Sequence, residues 1–177
     1  MSVVNATPLL LGDEGYQISR SVRLRSSASA YFNRTFATGS TTQWTWSAWV
    51  KRGTLGTNAY IFSPNNVNGE GIHFNASNQF SIAINGAILL ASTAVYRDPS
   101  AWYHVVVASD MGNATASLRC RVYINGTEIT AWSTDARASY SSWGSFNSAI
   151  NHNLGLTNAN SIYFDGYLTE INFVGGQ

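Results

Sequence analysis

The stretch Trp44-Thr-Trp-Ser-Ala-Trp-Val-Lys-Arg52 constrains the fold more than any other part of the chain. Large and small residues alternate in it. An extended conformation therefore places Trp44, Trp46, Ala48 and Val50 on one face and Thr45, Ser47, Trp49 and Lys51 on the other. Each aromatic side chain covers ~150–250 Å², and one small sheet cannot hide this many, so a second layer must pack against the strand. The stretch predicts a two-layer β fold.

The rest of the chain agrees with that reading. No long stretch has the helical period of 3.6, and turn signals recur about every 8–12 residues, the spacing of a β-sandwich or jelly roll. Strand signals fall at residues 18–24 and 30–32, which read as a hairpin, and then at 59–63, 71–74 and 79–84. Asn85-Gly86 and Asn125-Gly126 are two-residue hairpin turns leading into residues 87–91 and 127–131. Residues 102–108 read as a central strand with both faces buried, which makes His104 a hydrogen-bonded core histidine. A further strand is expected over 116–124, a loose Ser/Ala/Asn-rich region over 133–148, and closing strands over 153–156, 161–164 and 166–174. Trp44, Trp46, Val105, Val107, Val122, Ile124, Leu168 and Ile171 are the expected core.

A chain of 177 residues fits one domain with a core large enough to need no disulfide or metal. That domain is expected over residues 19–177. Residues 1–18 read as an arm whose Val3, Val4, Leu9, Leu10 and Leu11 serve anchoring or oligomerisation. Charged residues make up only 11% of the chain, against roughly 25% in ordinary soluble domains, and Ser, Thr, Asn and Gly supply the polarity instead. Such surfaces meet other proteins or sugars. The net charge is +1 and Lys51 is the only lysine, so no footprint for nucleic acid is present. Cys120, the single cysteine, reads as a buried thiol. No run approaches the ~20 apolar residues of a membrane span, and the N-terminus lacks the pattern of a signal peptide.

Four ordered motifs carry a family resemblance. They are Trp44-Thr-Trp-Ser-Ala-Trp-Val50, Asp98-Pro-Ser-Ala-Trp-Tyr-His-Val-Val-Val107, Arg121-Val-Tyr-Ile-Asn-Gly126 and Tyr163-Phe-Asp-Gly-Tyr-Leu-Thr-Glu-Ile171. Together they resemble the concanavalin A-like, laminin G-like jelly-roll family, in the form common in structural proteins of tailed bacteriophages. The resemblance implies an all-β, antiparallel two-sheet sandwich. It also implies a non-enzymatic virion-surface protein, a capsid decoration, head-fibre or tail-fibre component, with a lectin-like domain. Such a protein is made in the host cytoplasm, contacts capsid or fibre subunits and forms a homo-oligomer, with a trimer favoured. The alternative is a carbohydrate-binding module for host-surface or environmental glycans.

Sugar binding needs exposed aromatic platforms beside amides and hydroxyls. Trp132, Tyr140, Trp143 and the loop residues Asn65, Asn66 and Asn68 are the candidates, although Trp132 and Trp143 are equally suited to covering the sandwich edges or an oligomer contact. Glucanases of similar fold carry Glu-x-Asp-x-Glu on one strand. The nearest equivalent here, Glu170-Ile-Asn-Phe-Val174, has Asn172 and Val174 in place of the second and third acids, so no catalytic residue is expected. His73, His104 and His152 lack the spacing of a zinc site. No resident cofactor is expected apart from calcium, which laminin G-like domains often hold at the rim. Asp110 and Asn113 are oxygen donors suited to it and are equally good turn formers.

Overall fold

The structure is a computed structural model and describes residues 19–65, 68–157 and 161–176. The expected anchoring residues Val3, Val4, Leu9, Leu10 and Leu11, and the loop residue Asn66, lie outside them. The strands are β1 (Val22–Leu24), β2 (Phe32–Thr35), β3 (Gln43–Arg52), β4 (Ala59–Pro64), β5 (Gly71–Phe74), β6 (Gln79–Ile84), β7 (Ala87–Val95), β8 (Tyr103–Asp110), β9 (Cys120–Ile124), β10 (Thr127–Glu128), β11 (Trp132–Asp135), β12 (Asn151–Leu154), β13 (Leu156–Thr157), β14 (Ile162–Tyr163) and β15 (Gly166–Gly175). Pairing is antiparallel throughout these ladders. One sheet has six strands in the order β1-β15-β3-β8-β9-β10, and the other has seven in the order β11-β7-β6-β5-β4-β12-β2. β13 and β14 pair separately.

Alternation along β3 decides how the two sheets meet. Trp44, Trp46, Ala48 and Val50 are each 0% exposed, while Thr45, Ser47, Trp49 and Lys51 are half-buried on the other face. Trp46 crosses the interlayer gap to stack on Phe62 of β4, with ring centroids 5.8 Å apart. On its own sheet Trp46 lies beside Val107, which in turn faces Val122, and Ala48 beside Val105 continues the apolar row. Asn85 and Asn125, with φ of 48° and 52°, and the glycines that follow them close the two tight hairpins, the left-handed conformation that these residue types tolerate.

Several expectations are corrected. Residues 18–24 and 30–32 do not form a hairpin: β1 joins β15 in the six-stranded sheet, and β2 joins β12 in the seven-stranded one. A 3-10 turn at Ser26–Ala28 carries the chain between layers, and Leu24, buried at 2% exposure, holds β1 down by packing against Gly155. His104 is not a core residue, because its face of β8 points out of the sandwich; it is half-buried and lies 4.9 Å from the Trp49 ring. β9 starts only at Cys120, since Ala116–Leu118 form a 3-10 turn. The region expected to be loose contains β11 and is pinned by Arg137, whose buried guanidinium donates to the carboxylate of Asp135 and to the carbonyls of Ser117 and Cys120. Cys120 is buried as expected, and desolvation pushes its thiol up to about 12, so it is not ionised at neutral pH.

Changing Trp46 to Ala removes the contact that joins the layers, so stability should fall by about 3–5 kcal/mol in a urea titration. Trp49→Ala, on the outward face of the same strand, should cost about 1 kcal/mol or less. Equal losses would mean that the faces are assigned wrongly.

Candidate functional site

A two-sheet sandwich has two open sides, and the one between β2 and β15 is a cleft of about 870 Å³. Its floor is aromatic, made by Phe36, Phe62, Phe173 and the edge of Trp46. Asn33, Arg34, Asn147 and Asn172 supply polar groups around it.

The sequence builds this cleft in two local steps. First, β2 pairs with β12 in the register Phe32↔Leu154 and Arg34↔His152, so Phe32 and Arg34 turn towards the interior side of a strand that forms the sheet edge. With no further strand beyond it, Phe32 stays 52% exposed and stacks on no ring among the described residues. Second, the β15–β3 register shifts between Thr169 and Asn172, where Glu170 adopts a positive φ of 50°. This bulge inverts the alternation. Leu168 faces in, the bulge is crossed, and Phe173 opposite Trp46 faces in again, while Ile171 is left at the cleft wall.

His152 sits at the back of the cleft. Its ring stacks on Phe36 with centroids 4.4 Å apart and lies 5.7 Å from Phe62. Nε2 accepts a hydrogen bond from the Asn147 backbone N–H at 3.2 Å, and Nδ1 lies 3.0 Å from the carbonyl of Ile150. An acceptor at Nε2 and a donor at Nδ1 describe a neutral imidazole. Burial holds its pKa below the usual histidine value, in agreement with that tautomer. Asn147, with φ of 60°, in turn donates from Nδ2 to the carbonyl of Ser40 and ties the wall to the segment ahead of β3.

The expected sugar-binding residues differ in exposure, and Asn66 is outside the described residues. Trp143 is a core residue at 2% exposure, with its ring 5.1 Å from Trp44 and its indole N–H donating to Ser109 at 2.6 Å; it offers no platform. Trp132 is half-buried on β11 with the Arg137 guanidinium 5.7 Å from its ring, and Tyr140 is half-buried. Asn65 is exposed at the end of β4, which β5, β6 and β7 separate from β11; Asn68 is exposed beside Gly86 of the β6–β7 turn. The Asp110 carboxylate accepts from Asn113 Nδ2 at 2.9 Å and from Gln43 Nε2 at 3.3 Å, and Asn113 Oδ1 caps the N–H of Thr115, so this pair builds its own turn. Among the described residues no group of three or more His, Cys, Asp or Glu side chains is placed to hold a metal.

A second aromatic surface lies on the outer face of the six-stranded sheet, where Tyr167, Trp49, His104 and Tyr123 come from the adjacent strands β15, β3, β8 and β9. Its rings are already engaged. Arg23 lies 4.8 Å from the centroid of Tyr167, Arg121 5.3 Å from that of Tyr123, and Trp49 packs on His104. The cleft is the surface that combines a free aromatic ring with depth and polar groups.

Residues 25–176 match the family model described as the concanavalin A-like lectin/glucanases superfamily. No curated protein sequence matches the chain. Among solved structures, the carbohydrate-binding module CBM40 of the Ruminococcus gnavus IT-sialidase, bound to α2,3-sialyllactose, is similar at a TM-score of 0.53 and 12% identity, over 82% of this chain and 91% of that one. Domain 4 of AbnA, an extracellular arabinanase of Geobacillus stearothermophilus in complex with arabinotriose, gives 0.50 and 21% identity over 77% and 62%. Trypanosoma rangeli sialidase gives 0.50 and 16% identity over 76% of this chain, and the match spans only 20% of that enzyme. At these identities the likeness is one of fold.

His152 and the buried His73, whose pKa burial lowers to about 4, are both neutral in the folded chain at neutral pH. The unfolded chain protonates each near pH ~6.5. Their contribution is therefore complete above that pH and is lost as pH falls towards the folded pKa values. For His73 the loss is about 3 kcal/mol between pH 7 and pH 4. Melting temperature followed over this range should drop, and His73→Gln should flatten the slope; an unchanged slope would show that His73 is solvated.

Proposed function

The chain belongs to the concanavalin A-like lectin/glucanase superfamily, and on that premise we propose that it is a non-catalytic, lectin-like module that binds a glycan in the cleft between β2 and β15. The observation that carries this reading is the cleft itself: an exposed Phe32 ring at the mouth of an aromatic floor, with Arg34 on the same side of β2 and Asn147 among the lining residues. Sugars are held by this combination, apolar ring faces on an aromatic side chain and hydroxyls on amides. The sugar ligands of the CBM40 module and of arabinanase domain 4 support it at the level of fold.

A non-catalytic role fits the residues present. Glycoside hydrolysis uses two carboxyl groups, ~5–5.5 Å or ~6.5–9.5 Å apart. No carboxylate is among the described residues lining the cleft, and Glu170 is exposed on the bulge.

The phage-like wording of the four motifs favours a finer reading, in which the module is displayed on a virion as a decoration or fibre subunit and gains avidity from its copies. Residues 1–18 then serve as the anchor. Purified particles should contain the chain in stoichiometric amounts, and deletion of residues 1–15 should release a folded module from them; retention of the truncated chain would exclude the anchor.

On a glycan array the full chain should bind, and Phe32→Ala should weaken that binding about ten-fold. Trp132→Ala should leave it unchanged. The reverse pattern would move the site to β11.

A further inference from the structure

The cleft also has a charge preference, and this inference rests on the glycan reading above. Among the described residues that line it, Arg34 carries the only charge. His152 is neutral by its hydrogen bonds, Asn33, Asn147 and Asn172 are uncharged amides, and none of the described lining residues is an acid. Three of the other arginines are paired with a carboxylate, Arg23 with Asp165, Arg121 with Glu128 and Arg137 with Asp135, at 2.6–3.0 Å. Arg34 is exposed and has no such partner among the described residues. Its guanidinium is the one cationic group among the described residues lining the cleft, with no carboxylate beside it there.

The position of that charge gives it a use. Phe32 and Arg34 are two residues apart on β2, so their side chains leave the strand on the same side, about 7 Å apart. A pyranose stacked on Phe32 therefore presents a ring substituent to the guanidinium, over the aromatic floor and away from bulk water on one side. A hydroxyl there gains an ordinary hydrogen bond. A carboxylate gains a forked, charge-assisted pair, which is roughly twice as strong. We propose that the cleft selects glycans bearing a carboxylate, a sialic or a uronic acid, and that Arg34 is the residue that distinguishes them from their neutral counterparts.

The test uses the full chain and calorimetric titration with sialyllactose, lactose, an oligogalacturonate and its methyl ester. At least one acidic ligand should bind about ten-fold or more tightly than its uncharged counterpart. The preference should shrink as salt rises from 0.05 to about 0.5 M, because an exposed pair is screened. Arg34→Gln should bring the affinity for the acidic ligand down to that for its uncharged counterpart, with the melting temperature unchanged. Which acid retains the preference separates a sialic from a uronic ligand. Equal affinity for acidic and neutral forms, or a preference that survives in R34Q, overturns the assignment of Arg34 and leaves the glycan reading standing. No binding of any of the four, together with a blank glycan array, overturns both.

Discussion

The contact between Trp46 and Phe62 is what makes this molecule a sandwich rather than two separate sheets. Both rings are buried in the interlayer space, and each brings further aromatic groups with it: Trp44 packs on Phe146, Trp143 and Phe173, while Phe62 packs on Phe36, Phe146 and His152. The indole N–H groups of Trp44 and Trp46 have no hydrogen-bond partner among the described residues. An unpaired buried donor costs ~1–3 kcal/mol. Burial of the large rings offsets this, since apolar area removed from water contributes about 25 cal/mol per Å².

The candidate site follows from where that packing ends. Towards β8 and β9 the six-stranded sheet is filled by Val105, Val107, Val122 and Ile124 against the other layer. Towards β15 and β2 the strands are short or bulged. β1 has three residues and β2 four, and the β15 bulge displaces Ile171 to the cleft wall. Of the aromatic rings that line the cleft there, Phe36 and Phe173 are half-buried, while Phe62 and Trp46 stay in the core beneath them. Phe173 therefore both lines the cleft and packs on the core rings Trp44 and Phe62.

Low charge density gives Arg34 its weight. In a chain with 11% charged residues, Arg23, Arg121 and Arg137 are each paired with one carboxylate. Arg34 is the one charged residue among the described residues lining its cleft, and salt screens an exposed charge only over ~10 Å.

The sequence by itself determined the class of fold, the inward face of β3, the two Asn-Gly hairpins and the buried thiol of Cys120, because strand alternation and tight-turn chemistry are local properties of the chain. The four motifs carried the family for the same reason, as each is a short contiguous run of residues. What the local pattern did not reveal is which open side of the sandwich is a cleft. Trp143 has the composition of a binding platform, yet its neighbours Trp44 and Ser109 place it in the core. Phe32, Arg34 and Phe36 read as ends of strands and loops until β12 pairs with β2 and sets them opposite Phe173 of the other sheet. Asn172 and Phe173 changed faces through a bulge whose signal is a positive φ at Glu170, a residue type that gives no warning of it. Those assignments depend on pairing between segments more than a hundred residues apart, and only the tertiary structure fixes them.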